Sequence, residues 1–584
     1  MTSAPLPPSG AAPRRRRAFG RPAWARVPAL AAALVLVLTA LLGGNPQTAS
    51  AATYARISGA GSTWSQNALD QWRRNVTQYG MTVNYAGTGS SDGREQFRSG
   101  TVDFAVSEVP YGLTEFGRTD YPPKRGYAYM PIVAGGTSFM YNLKIGGRRV
   151  TNLRLSGDVL TKIFTGRITR WNDPAVKADN PGLDLPARKV VPVVRSDGSG
   201  TTAQFSTWMS KEHGAAWNDY CRRANKPTPC GVTSYFPVVP GSGFIAQSGS
   251  LGVSGYVRQG YAEGAITYVE YSYALSTGFP VAKVLNKSNY YVEPTATSVA
   301  VGLLKARINT DQHSPAYLTQ ILDGVYHNPD RRTYPLSSYS YMILPTKLER
   351  PLTKDKGRTL GAFSYYFLCE GQQQAQSLGY SPLPINLVKA GLKQVRRVPG
   401  VDVRNIDIKS CHNPTFSSDG SNTLAKNAPF PKDCDRKGPK QCSMGTAGAH
   451  GKPTPVKPGA QTSGGGTAGA GGAAGASGAG GSSGSAGSDA AQGGASGSAG
   501  AGGAGGIDPD TGQNATAAGA TGGEQIAATN VELGPESTWS MRTLLMLLSA
   551  ALLIGVVVTP PLLGRALGGR DGRDGRDRRG GDGA

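Results

Sequence analysis

Apolar residues recur at helical spacing behind a glycine-rich stretch in the first part of the chain. Trp64, Ala68, Trp72 and Val76 fall every four positions, which predicts a helix with one buried face over residues 65–79. Residues 81–85 read as a strand and 94–98 as a further helical segment. The apolar run 190–194 reads as a buried strand, with a helix-like segment at 202–211. Ahead of that strand, 160–171 predicts a helix and turn, and beyond the helix-like segment 265–273, with Ile266, Tyr268 and Val269, predicts a crossover between two parts of the molecule. Residues 339–344 predict a strand stopped by Pro345. Residues 359–378, with Leu360, Phe363, Tyr366 and Phe367, predict a helix against which 379–388 packs. Strand and helix patterns that alternate in this way indicate an α/β protein.

Three of the strand-to-helix connections share one construction. They are Gly59-Ala60-Gly61-Ser62-Thr63-Trp64, Gly87-Thr88-Gly89-Ser90-Ser91-Asp92-Gly93, and Arg195-Ser196-Asp197-Gly198-Ser199-Gly200-Thr201-Thr202. Each ends at the start of a helix, where backbone N–H groups lack intrahelical partners and carry partial positive charge, an arrangement suited to an oxyanion. Ser199 and Thr201 add hydroxyls, and Arg195 adds a charge-assisted fork. Any one of these loops is an ordinary strand–helix connection; three in one chain point to a shared small anion.

The strings GAGSTW, NYAGTGSSDGREQFRSGTVDFAVSE, VVRSDGSGTTAQF, GAITYVEYSYA and YPLSSYSYMILP, in that order between about residues 56 and 398, resemble the motif set of the periplasmic phosphate-binding proteins, the substrate-binding components of phosphate ABC transporters. The resemblance implies two α/β lobes of the type II binding-protein fold, joined by a hinge and closing over one ligand. It also implies inorganic phosphate as the ligand, an ABC permease as a partner, a monomer, no cofactor and no bound metal. Carried onto this sequence, Thr63 and Trp64 supply the first donors, with Trp64 where the family commonly has Phe. Ser90 donates from the second loop; Arg195, Ser199, Gly200 and Thr201 close the far side, and Asp197 orients Arg195.

Glu108 falls where the family normally carries Asp. A carboxylate beside an anion is unfavourable unless a proton lies between them; phosphate at neutral pH has one to give and sulfate has none. Loss of such a buried charge-assisted bond costs on the order of a few kcal/mol, a factor of hundreds or more. Because Glu is one methylene longer than Asp, the acceptor is displaced unless its surroundings retreat. A surface protein with a degraded site, or with another oxyanion or anionic sugar as ligand, is the competing expectation. A serine hydrolase built on Ser199 is disfavoured, since none of the five His stands in a triad context.

The ends of the chain set its compartment. Residues 1–51 carry Arg14–Arg17, Arg21 and Arg26 ahead of the apolar run 27–42 and finish in Ala49-Ser50-Ala51, the pattern of a cleaved secretory signal without a lipobox cysteine. The uncharged run 543–563 is 21 residues long, enough to span a bilayer, and the tail 564–584 begins with Arg565 and Arg570, which predicts a cytoplasmic C-terminus. The two-lobe domain is expected over 52–398 and a Cys-containing extension over 399–443. A Gly/Ala/Ser linker, 444–537, is too poor in bulky apolar residues to offset its ordering entropy.

The formal charge of +23 falls to +15 once the six signal-peptide Arg and the tail's net +2 are removed. That excess attracts anions at long range, yet no nucleic-acid-binding motif accompanies it. Cys221, Cys230, Cys369, Cys411, Cys434 and Cys442 all lie in the exported part; an even count there favours disulfides over zinc. Six cysteines allow 15 pairings, of which 221–230, 369–411 and 434–442 are preferred.

Overall fold

The computed structural model describes residues 54–460. Its centre is one eight-stranded mixed sheet built from β1 (Ile57–Gly61), β2 (Val83–Ala86), β3 (Phe104–Ser107), β4 (Tyr127–Tyr141), β5 (Val191–Arg195), β6 (Ile245–Gln247), β7 (Ala265–Glu270) and β8 (Ser337–Pro345). The spatial order is β6-β5-β7-β4-β8-β3-β1-β2. β1, β2 and β3 run parallel, as do β5, β6 and β7.

The long strand β4 makes two lobes out of this sheet. Its first part, to Gly136, pairs antiparallel with β8, and its last five residues, Thr137 to Tyr141, pair antiparallel with β7. Gly135 and Gly136 sit where the partner changes. A Cβ on Gly135 would stand 2.7 Å from the Trp64 ring and one on Gly136 2.5 Å from Pro294, so neither position admits a side chain without movement. β4 is almost wholly buried, which explains why its sequence shows no alternation and no strand was expected there.

Helices cover both faces: α1 (Gln66–Thr77), α2 (Ser90–Arg98), α3 (Gly157–Phe164), α4 (Gly200–Glu212), α5 (Gly249–Val257), α6 (Ala296–Leu303), α7 (Lys354–Leu368) and α8 (Ile385–Val395). The four-residue spacing in α1 holds, with Ala68, Leu69, Trp72 and Val76 buried. α2 starts four residues before the expected 94–98, because the hydroxyl residues of its loop already belong to the first turn. α3 begins at Gly157 and stops at Phe164, well short of residue 171. The helix expected over 359–378 runs instead from Lys354, capped by Thr353 Oγ1 accepting from Lys356 N at 3.2 Å, and ends at Leu368, after which Glu370–Gln374 tightens into a 3₁₀ turn.

All six cysteines are paired, as 221–230, 369–411 and 434–442. The second pair fastens the C-terminal extension to the end of α7. From there the extension crosses to α9 (Thr423–Lys426), whose Leu424 and Ala425 cluster with Ala296, Ala300 and Val301 of α6. It then runs onto the second lobe, where Arg154 Nη1 donates to Cys434 O (3.0 Å) and Lys440 O (2.7 Å) and Asn152 Nδ2 donates to Cys442 O (2.7 Å).

The expected start of the linker at residue 444 is corrected. Residues 444–457 are packed: Val281 N donates to Thr446 Oγ1 (3.0 Å), Thr151 N donates to Thr454 Oγ1 (2.8 Å), and Lys457 N donates to Gly182 O (3.0 Å). Among the described residues no helix is long and apolar enough to cross a membrane. The signal segment 1–51, most of the linker, the apolar run 543–563 and the basic tail lie outside them.

Candidate functional site

The parallel strands of each lobe end at one junction, and helices start there after β1, β2, β5 and β6, the usual place for a ligand in an α/β sheet. In the first lobe the loop after β1 carries Ser62, Thr63 and Trp64, that after β2 carries Gly89 and Ser90, and Glu108 follows β3. In the second lobe Arg195 ends β5, Ser199 caps α4 by accepting from Thr202 N (3.1 Å), and the loop after β6 brings in Ser250. Close backbone approach shapes the first lobe's side: Gly89 N donates to Gly61 O at 2.8 Å, and a Cβ on Gly93 would lie 2.3 Å from Gly61 Cα.

The lobes meet through these loops. Ser91 N donates to Gly198 O (3.0 Å), Gly200 N donates to Ser90 Oγ (3.2 Å), Ser250 N donates to Thr63 Oγ1 (3.1 Å), and Gln204 Nε2 donates to Glu108 O (2.9 Å). Thr63, Ser90, Glu108, Arg195, Ser199, Gly200 and Thr201 are all buried and are gathered at this junction.

Glu108 is the acid at its centre. Oε1 accepts from Ser62 Oγ (2.5 Å) and Ser340 Oγ (2.8 Å), and Oε2 accepts from Ser90 Oγ (2.7 Å). A Cβ on Gly200 would stand 1.9 Å from Oε2, so the carboxylate presses against the start of α4, where only glycine fits.

Arg195 is held by Asp197. Its Nε donates to Asp197 Oδ1 at 2.7 Å, Nη2 bonds Asp197 Oδ2, and Nη1 reaches Ser250 Oγ at 3.4 Å. Gly249 N also donates to Asp197 Oδ1 (2.9 Å). Burial raises the Asp197 carboxyl, but the Arg195 hydrogen bonds and charge outweigh it and hold the group below its ordinary range. Behind Arg195, burial lifts the Tyr268 hydroxyl to about 12, and Tyr268 accepts from Arg195 N at 3.2 Å.

Several expected donors are engaged within the protein: the Ser90 hydroxyl gives its proton to Glu108, and Gly200 N donates to Ser90 Oγ. Trp64 N donates to Ser62 Oγ (3.0 Å), so this N–H is turned into the first lobe, and the indole packs edge-on against Tyr380. Ser199 Oγ accepts at the cap of α4, which leaves only its proton to give. Thr201 Oγ1 is buried with no hydrogen-bond partner among the described residues, a hydroxyl whose capacity is unspent.

Four contributors were not foreseen: Ser62, Ser340, Ser250 and Glu115. Glu115 lies in a hairpin (Thr114–Glu115 against Arg118–Thr119) reaching from the first lobe to Thr233 and Ser234 of the second. Ser250 had a local signal, since Ser248-Gly249-Ser250 joins a strand to a helix as the other loops do. Ser62 stood in the first Gly/Ser loop but was given no role, and Ser340 and Glu115 had no local signal.

Two lobes that share a sheet and close on loops rich in N–H and hydroxyl donors define a solute-binding protein with an oxyanion cleft. A model described as PBP superfamily domain matches residues 46–370. The phosphate-binding protein PstS of Xylella fastidiosa (strain 9a5c) is 32% identical over 349 residues, which is 59% of this chain and 86% of that protein. Phosphate-binding protein PstS 2 of Mycobacterium tuberculosis is 30% identical over 374 residues, covering 61% and 93%. Phosphate-binding protein PstS of Methanocaldococcus jannaschii is 29% identical over 379 residues, covering 61% and 90%. The chain belongs to the PBP superfamily and, within it, to the PstS-like phosphate-binding protein family.

Proposed function

We propose that this protein binds inorganic phosphate outside the cytoplasmic membrane by closure of its two lobes, and hands it to an ABC permease without changing a covalent bond. The observation that carries the reading is a buried carboxylate, Glu108, bonded by Ser90 against the start of α4 in the same inter-lobe junction where Ser250 joins Thr63 to Arg195. Donors alone would suit any oxyanion. A fixed carboxylate among them favours one that brings its own proton, as phosphate does near neutral pH and sulfate does not. The names of the relatives agree with that ligand.

In this reading Thr63, Ser199 and Thr201 donate to the phosphate oxygens, while Ser90, its one proton given to Glu108 and its oxygen accepting from Gly200 N, borders the site. Arg195, held by Asp197, supplies the positive charge, and Glu108 accepts the phosphate proton. The secretory signal and three disulfides support an exported protein. The run 543–563 is proposed as its membrane anchor.

The test is calorimetric titration of the protein, stripped of bound ligand, with phosphate and then sulfate at neutral pH. Micromolar or tighter phosphate binding with no sulfate heat supports the proposal. Arg195→Ala is expected to abolish phosphate binding while leaving the circular dichroism spectrum unchanged; parental affinity in that variant refutes the site.

A further inference from the structure

We infer that Ser62 and Ser340 are positioning residues that set the selectivity of Glu108, an inference that rests on the phosphate reading above. A carboxylate has two oxygens with about four lone-pair sites in all. In Glu108 two hydroxyls converge on Oε1, Ser62 at 2.5 Å and Ser340 at 2.8 Å, and Ser90 lies on Oε2 at 2.7 Å. That filling saturates Oε1 and leaves one acceptor position, on Oε2. Oε2 is also the oxygen nearest the start of α4, since it is the atom a Cβ on Gly200 would strike first.

The two serines therefore answer the extra methylene of Glu. They draw one oxygen back into the first lobe, so the longer side chain shows the cleft a single oxygen with a single open lone pair. Both stand on rigid supports. Ser62 closes β1, with its N–H on Val106 O (2.9 Å) and its Oγ accepting from Trp64 N (3.0 Å). Ser340 lies within β8, with its Oγ 2.9 Å from Ser65 Oγ. Both belong to the first lobe, as Glu108 does, so the acceptor is set before the lobes close. An oxyanion carrying one suitably directed proton meets its acceptor, whereas one with no proton meets an uncompensated carboxylate oxygen. With Oε1 released, the carboxylate is free to turn, and the penalty against the unprotonated anion is no longer fixed in place.

The test compares the parent with Ser62→Ala, Ser340→Ala and the double variant by two measurements. The first is the infrared carboxylate stretch of the ligand-free protein, assigned to Glu108 by its disappearance in Glu108→Gln. The second is calorimetric titration with phosphate and with sulfate. The expected result is a band shift in each single variant, larger in the double one, and a phosphate-to-sulfate affinity ratio lowered about tenfold or more in the double variant. If the double variant does not fold, each single variant carries the same test with a smaller shift. An unmoved band in the alanine variants overturns the inference, as does a moved band with an unchanged ratio. A moved band in a protein whose parent binds no phosphate leaves the positioning intact and removes the phosphate reading.

Discussion

Replacing Glu115 by Ala removes a latch that lies outside the anion site. Its carboxylate accepts from Ser234 Oγ (2.6 Å), Ser234 N (2.7 Å) and Thr233 Oγ1 (3.0 Å), three bonds from the second lobe to one side chain of the first. Ser234 is no passive partner, because its carbonyl accepts from Ser199 N at 2.9 Å and so supports the loop that starts α4. Hydrogen bonds to a charged group contribute roughly 1.5–3 kcal/mol each when sheltered. Glu115 is only half-buried and all these groups regain water when the lobes part, so about 2 kcal/mol for the whole latch is the reasonable figure. That energy exists only in the closed form. Glu115→Ala should therefore weaken phosphate binding about 30-fold. The loss should appear in the dissociation rate, because the encounter precedes closure. Stopped-flow tryptophan fluorescence with a phosphate scavenger reads that rate, and calorimetry gives the equilibrium. A dissociation constant within twofold of the parent, or a loss confined to the association rate, refutes the latch.

Two further outcomes follow from the architecture. Glu270 is fully buried; Ser272 N donates to its Oε2 at 2.7 Å, while Oε1 has no partner among the described residues. Burial pushes its carboxyl well above the ordinary range, so the folded chain keeps a proton that the unfolded chain gives up near pH 4.5, and stability drains away as pH rises past that value. Glu270→Gln has no proton to lose; its melting temperature relative to the parent should rise between pH 5 and pH 8, and a constant or falling difference contradicts the assignment. Cys411→Ser opens the bridge to Cys369, 42 residues away, and the chain-entropy estimate for a loop of that size is about 4 kcal/mol. Chemical denaturation should show a loss of that order, and a change below about 1 kcal/mol would mean that the extension is held by its packing rather than by the bridge.

What could be read from the sequence was local. A Gly/Ser turn followed by residues at helical spacing announces a helix start within ten positions, and the loops at Thr63, Ser90 and Ser199 were recognisable for that reason. The family strings then carried Arg195 and Glu108. What could not be read was distant or lacked a periodic signal. Ser340 lies 232 residues from Glu108 and Glu115 lies 119 from Ser234, separations at which no pattern in one chain links two side chains. β4 is buried along nearly its whole length, so the alternation that betrays a strand never develops.

Residues 444–457 misled in another way. Their small residues resembled those of the linker, but they are small because they pack closely. A Cβ on Gly448 would lie 2.4 Å from Gly278 Cα, and Ala447 and Ala449 are buried. Composition alone does not separate a chain with nothing to bury from one that must fit a narrow groove.

The course of the extension determines how the two lobes are joined. α8, the last helix before the extension, packs beside α7 in the first lobe, where a chain ending near residue 398 would leave the body. By continuing past the bridge at Cys411 and over α6 to Gly182, the chain departs from the second lobe instead. The extension is thus fastened to both lobes, to the first by the bridge at Cys369 and to the second at Thr151 and Gly182, and forms a second connection between them besides the shared sheet.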